Sequence, residues 1–170
     1  MKLMRFIPLL LGLCALQAHA AGAIRLTVTG VSCTSTLSAL PGMAAESWSM
    51  GASAPISTGA TGVAAGKVAL SALTVQRAFD ECSPVLLNKF FTESHIATVV
   101  LTQYAASADG APQPSMVVTL TNVIIESYAI GGVATADASE TWAFSYEKVC
   151  LKNSANGVQA CYSSNAVVAS

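Results

Sequence analysis

From Ala23 to Gly30 apolar and polar residues alternate, with Ile24, Leu26 and Val28 in one phase and Arg25, Thr27 and Thr29 in the other. A period of two puts the first set on one face of an extended chain, so a half-buried strand is expected. The pattern lapses over Val31–Thr61, which is rich in Ser, Ala, Gly and Pro and interrupted by Trp48 and Met50. This reads as a long loop with a short strand around Ser47–Met50, and a loop of that length is either functional or disordered. Gly59–Gly66 is small and flexible, with little to hold it in place. Lys67–Val75 is the next strand. Val68 and Leu70 share one phase and Leu73 and Val75 the other, which implies a bulge near Ala72.

One segment has helical spacing. Ser83 is placed to cap it, Pro84 suits the first helical position, and Leu86/Phe90 and Leu87/Phe91 form an apolar stripe four residues apart. That stripe is expected to pack on the core. Downstream the period returns to two. Ala97–Tyr104 is a strand, Ala105–Pro114 a turn around Asp109-Gly110, and Ser115–Ile130 a long β-branched strand ended by Gly131-Gly132. Glu140–Cys150 sets Trp142, Phe144 and Tyr146 against Ser145 and Glu147; Asn153–Gly157 turns, and Gln159–Val168 is the last strand. Many short strands with one helix predict a mainly β fold, a small antiparallel β-barrel or sandwich with one short α-helix.

The N-terminus does not belong to that pattern. Lys2 and Arg5, the apolar run Phe6–Leu16 and Ala18-His19-Ala20 have the order of a secretory signal peptide, so residues 1–20 are expected to be removed and 21–170 to form a single domain. The run is too short to span a membrane, and no longer apolar run follows it. The chain has eight basic and nine acidic residues, and loss of Lys2 and Arg5 would leave it more acidic. That balance argues against nucleic acid as a partner. Charged residues are only 10% of the chain while 53% are hydrophobic, so the polar surface falls to 19 Ser and 14 Thr. Either a Ser/Thr-rich extracellular β-domain or a subunit that buries its outside against copies of itself fits this composition.

Of five cysteines, Cys14 lies in the leader. Cys33, Cys82, Cys150 and Cys161 remain, an even number that suits disulfides in an exported chain and allows three connectivities. Cys150 and Cys161 flank the Asn153–Gly157 turn as cross-strand neighbours, and removing that pair leaves Cys33 with Cys82. Metal binding is disfavoured, because there is no C-x-x-C pair and His95 is the one histidine outside the leader. His95 fits a turn or surface role. Asp80 and Glu81 suit the positive end of the helix dipole, and Glu126, Glu140 and Glu147 form no acid–base pair. Gly59–Gly66 lacks the Lys-Ser/Thr of a phosphate loop. No catalytic, cofactor or metal site is expected. Trp48, Met50 and Trp142 are expected in the core or a subunit interface, where their large apolar area is buried.

The order Ser47-Trp48-Ser49-Met50-Gly51, Gly66-Lys67-Val68, Asp80…Ser83-Pro84-Val85-Leu86-Leu87, Thr119–Ile125, Gly131-Gly132 and Glu140–Tyr146 resembles the haemolysin-coregulated protein (Hcp) family. The likeness runs from about Ile24 to the C-terminus. It implies a β-barrel with one helix, assembled as a homo-hexameric ring. It further implies rings stacked into the tube of a type VI secretion system, with small effector proteins carried in the lumen by some members. The same resemblance implies that the loop Ser32–Ser47 contacts the neighbouring ring, with Leu37, Leu40 and Met43 as its apolar residues. The leader and four cysteines depart from the family pattern and point to a secreted or periplasmic location. The competing expectation is an exported, disulfide-stapled β-domain for cell-surface adhesion or binding; a hexamer in native mass spectrometry would separate the two from a monomer.

Overall fold

The computed structural model describes residues 22–33, 40–59, 62–106 and 111–163. The expected leader, Leu37 and the Asp109-Gly110 turn lie outside them. Twelve strands and one helix follow in the order β1 (Ala23–Val28), β2 (Met43–Ala45), β3 (Ser47–Ser49), β4 (Ala52–Ser53), β5 (Ile56–Gly59), β6 (Gly62–Ala65), β7 (Ala69–Leu70), β8 (Leu73–Ala78), α1 (Ser83–Phe91), β9 (Ile96–Ala105), β10 (Gln113–Val133), β11 (Ala136–Asn153) and β12 (Gln159–Ser163).

The main sheet runs β2-β1-β9-β10-β11-β8-β3, all antiparallel, with β12 on the C-terminal half of β11. Its two ends are consecutive in sequence. Met43–Ala45 pairs with β1 and Ser47–Ser49 pairs with β8, with Glu46 alone between them. The Glu46 amide donates to the Gln76 carbonyl at 2.8 Å, so a single crossing segment brings the sheet round into a nearly closed barrel. The expected long loop from Val31 to Thr61 therefore contains structure that periodicity does not show, because its strands are two to four residues long. The expected Lys67–Val75 strand divides near Ala72, where its phase changes, into β7 and β8.

Leu26, Val28, Leu73, Val75, Val99, Leu101, Val118, Leu120, Trp142 and Phe144 fill the interior. Three neighbouring strands change their inward phase at one level. Ile96 and Val99 are both buried on β9, as are Leu120 and Val123 on β10, and Phe144 and Val149 on β11. Asn122 sits at that level with φ 53, a left-handed conformation that asparagine tolerates better than most residues. Its amide Nδ2 donates to Glu147 Oε2 at 2.7 Å, and its Oδ1 lies 3.3 Å from His95 Nδ1. The pairing Thr121↔Lys148 and Val123↔Tyr146 continues across the break.

The helix closes one part of the barrel through Leu86, which is fully buried, with Leu87 and Phe90 packed beside it. Two expectations about it are corrected. Phe91 is 71% exposed and lies outside the core stripe, since at the last helical residue it has passed the edge of the barrel. Ser83 is not the cap: Cys82 holds that position with no side-chain cap bond, and the Ser83 hydroxyl is turned inward.

Candidate functional site

The cysteines are the simplest of the expected positions. Cys33 bonds to Cys82, tying the segment after β1 to the start of α1, and Cys150 bonds to Cys161 between β11 and β12. Cross-linking closes loops of sequence separation 49 and 11. Chain-entropy estimates for such loops are about 4 and about 3 kcal/mol.

Beside Cys82 lies a polar cluster that the strand pattern alone does not reveal. Arg77 on β8 and Glu140 on β11 are both buried, and Arg77 Nη1 donates to Glu140 Oε1 at 2.8 Å. The Ser83 hydroxyl donates to the same oxygen at 2.8 Å. Asp80 pairs with Arg77 Nη2 and accepts from the Cys82 amide at 2.8 Å, while its own amide donates to Ser83 Oγ at 3.0 Å. Arg77 Nε donates to the Ala44 carbonyl at 3.3 Å. One network thus joins the crossing segment, the strands β8 and β11 and the first turn of the helix. Asp80 serves both the guanidinium and the start of the helix, and Glu140 is a structural counter-ion. A buried carboxylate held by arginine and serine has no open approach for a substrate, so the network does the work of a rivet. Next to it Tyr128 packs on Trp142 with ring centroids 4.3 Å apart and planes tilted by 39°. Desolvation, then the charge of Glu140, raises the Tyr128 hydroxyl above its ordinary pKa. Burial also raises that of Tyr146, which donates to the Ser71 carbonyl at 2.9 Å.

Trp142 is fully buried. Trp48 is half-buried against the core and its Nε1 donates to Gln103 Oε1 at 3.1 Å; Met50 packs against the same core. Met43 departs from its expected place on a projecting loop. It is 2% exposed and sits in β2 opposite Leu26, because its side chain falls in the inward phase of the closing strand. Leu40 is half-buried at the edge of the segment outside the described residues.

Among the described residues two surfaces are unpartnered. The first is the β5–β6 hairpin, in which all eight residues are exposed, Ile56 and Val63 at 69% and 74%. The glycine-rich stretch Gly59–Gly66, expected as flexible chain, supplies β6 of this hairpin; the sequence marks the hairpin only by Ile56 and Val63 on either side of residues 60–61. The second is the outer half of β10. Up to Val123 this strand pairs with β9 on one side and β11 on the other; from Ile124 to Val133 it pairs with β11 alone. Its free edge carries exposed Ile124, Ile130 and Val133 and one charge, Glu126, which accepts from the Ser145 hydroxyl at 2.6 Å. A cleft of about 390 Å³ is lined by residues such as Thr27, Ser32, Cys33 and Met43, with no acid or base among them. Among the described residues no His, Cys, Asp or Glu cluster could hold a metal, and no helix is long and apolar enough to cross a membrane.

Residues 29–152, most of this barrel, match the family described as Type VI secretion system effector, Hcp. The chain belongs to the Hcp family. No match is found among curated proteins. The fold is shared with Hcp1 from Salmonella typhimurium, with a TM-score of 0.68 at 20% identity over 84% of this chain and 95% of that one. Hcp1 from the E. coli EAEC 042 pathovar gives a TM-score of 0.71 at 13% identity, covering 85% and 98% of the two chains. A chain in the six-fold symmetrised baseplate of the anti-feeding prophage is also similar, with a TM-score of 0.56 at 14% identity over 78% and 93%. The Hcp family supplies tube subunits, which are structural proteins, and secreted effectors of type VI secretion.

Proposed function

We propose that residues 21–170 form a six-membered ring and that rings stack into a tube. The observation that carries this reading is the unpaired, almost uncharged edge Ile124–Val133. Exposed edges of this kind are normally blunted by charge, proline or cover, and a neighbouring copy in a closed ring supplies the cover. The six-fold assembly of a protein with the same fold supports the ring order. Stacking falls to the β5–β6 hairpin and to the loop carrying Leu37 and Leu40; Met43 is committed to the core. A lumen wide enough for small effector proteins follows from the family's role.

Export by the Met1–Ala20 leader places the ring in the periplasm or outside the cell, where the disulfides Cys33–Cys82 and Cys150–Cys161 persist. Native mass spectrometry of the mature chain tests the ring: six subunits are expected, and a monomer at high concentration would sink it. Ile130→Lys with Val133→Lys should leave the fold intact and dissociate the ring. Deleting 56–65 should abolish tubes and keep rings. N-terminal sequencing should find Ala21 at or near the start of the mature protein; an intact Met1 in the cytoplasm would refute export.

A further inference from the structure

The two disulfides of this chain differ in exposure. Cys33–Cys82 is the better covered, with Cys82 fully buried in the core cluster and Cys33 half-buried. Cys150–Cys161 joins directly opposed residues of β11 and β12 at the surface, Cys161 exposed and Cys150 half-buried. Lys148 and Lys152 are both exposed, and their two-residue spacing puts them on the same face of β11 as Cys150. The ladder from Lys148↔Ser163 to Lys152↔Gln159 runs without a register break, so no bulge turns either lysine away. On the other strand, Gln159 Nε2 donates to Cys161 Sγ at 3.1 Å. An accessible S–S bond thus has cationic side chains on both sides of one sulfur and an amide donor on the other.

We propose that Cys150–Cys161 is an exchange site for anionic low-molecular-weight thiols of the glutathione class, while the better covered Cys33–Cys82 exchanges more slowly. Thiol–disulfide exchange depends on access to the sulfur attacked and on how well the leaving thiolate is stabilised. The incoming thiolate attacks Cys161 Sγ, the more exposed sulfur. A bond forms between that sulfur and the small thiol as the Cys150–Cys161 bond breaks. The electron pair goes to Cys150 Sγ, which leaves as a thiolate between Lys148 and Lys152. A second thiolate attacks the small thiol's sulfur in the mixed disulfide, releasing the oxidised small disulfide and a Cys161 thiolate beside Gln159. Each protein thiolate takes a proton from water, so two thiols are oxidised for one protein disulfide reduced. After exchange β12 is held by its ladder to β11 alone. This site goes beyond the ring reading and does not depend on it.

The test uses the mature oxidised protein in graded mixtures of reduced and oxidised glutathione, quenched by alkylation and mapped by peptide mass. Cys150–Cys161 should open roughly tenfold faster than Cys33–Cys82, the scale set by access, with glutathione trapped on Cys161. Lys148→Gln with Lys152→Gln should slow glutathione attack about fivefold, slow the singly charged 2-mercaptoethanolate less, and lose the difference in molar salt. Equal opening of the two disulfides, earlier opening of Cys33–Cys82, or lysine variants as fast as the parent would overturn the proposal.

Discussion

Replacing Arg77 by methionine removes the cation from a site where both it and Glu140 have no exposed side-chain surface. The Glu140 carboxylate keeps only the Ser83 hydroxyl as a donor to Oε1, at 2.8 Å, and its Oε2 has no partner to begin with. Asp80 loses its cation too, but its side chain is 20% exposed and water reaches it. Breaking a buried ion pair from one side costs about 3–5 kcal/mol, a large share of the 5–15 kcal/mol (approximately) by which a domain is stable. Glu140→Gln is milder: Arg77 retains Asp80, and the amide oxygen can still accept from Ser83, so the loss should be about 1.5–3 kcal/mol. The double variant leaves no orphaned charge in the core. Its cost should fall below the sum of the singles by about 1 kcal/mol or more. Urea unfolding of the oxidised protein at one fixed subunit concentration, followed by tryptophan fluorescence, reads all three, since Trp142 lies two positions from Glu140 on the same strand face. If Arg77→Met costs less than about 1 kcal/mol, or the two changes simply add, the cluster is not the coupled rivet described above.

Leu86→Ala should destabilise the protein by about 2–5 kcal/mol in the same assay, while Phe91→Ala, on an exposed ring, should change stability by less than about 0.5 kcal/mol. Cys33→Ser with Cys82→Ser should lower stability by about 4 kcal/mol, more than the loss of Cys150–Cys161 at about 3, because the longer loop is released. Alkaline titration should show Tyr128 and Tyr146 ionising above the ordinary phenol value of about 10. Their folded pKa values are raised, so the associated stability is present below that value and disappears as pH rises through the folded one; thermal scans from neutrality upward should stay level and then fall.

The strands with a long uninterrupted period were legible. Ile24, Leu26 and Val28, or Trp142 and Phe144, declare their inward face by alternation, and the helix declares itself through Pro84 and the Leu86 spacing. What hid was anything that depends on a distant partner. Arg77 and Glu140 are 63 residues apart and each looks like an ordinary charge on a strand. Ser83 before Pro84 has the local signature of a cap, and only the presence of Glu140 across the barrel explains why its hydroxyl points inward. Met43 lacked a pattern because β2 is three residues long, too short for alternation to register. The phase change at Asn122 was equally silent, since a single left-handed residue leaves no mark on composition.

The pairing of β1 with β9 has a consequence in time. Ala23 lies opposite Tyr104 and Val28 opposite Val99, so the first strand to be synthesised waits for a partner more than 70 residues later, a gap visible in the register itself. Strands β9, β10 and β11 are consecutive and can zip as a meander once made, whereas closing so long a loop costs entropy before any contact repays it. Until then Ile24, Leu26 and Val28 present an apolar edge to whatever is nearby. A chain that assembles through exposed edges must keep this one from being captured by another copy. Its formation of Cys33–Cys82, which tethers the end of β1 to the helix immediately upstream of β9, shortens the path between Val28 and Val99 from 71 residues to about 22.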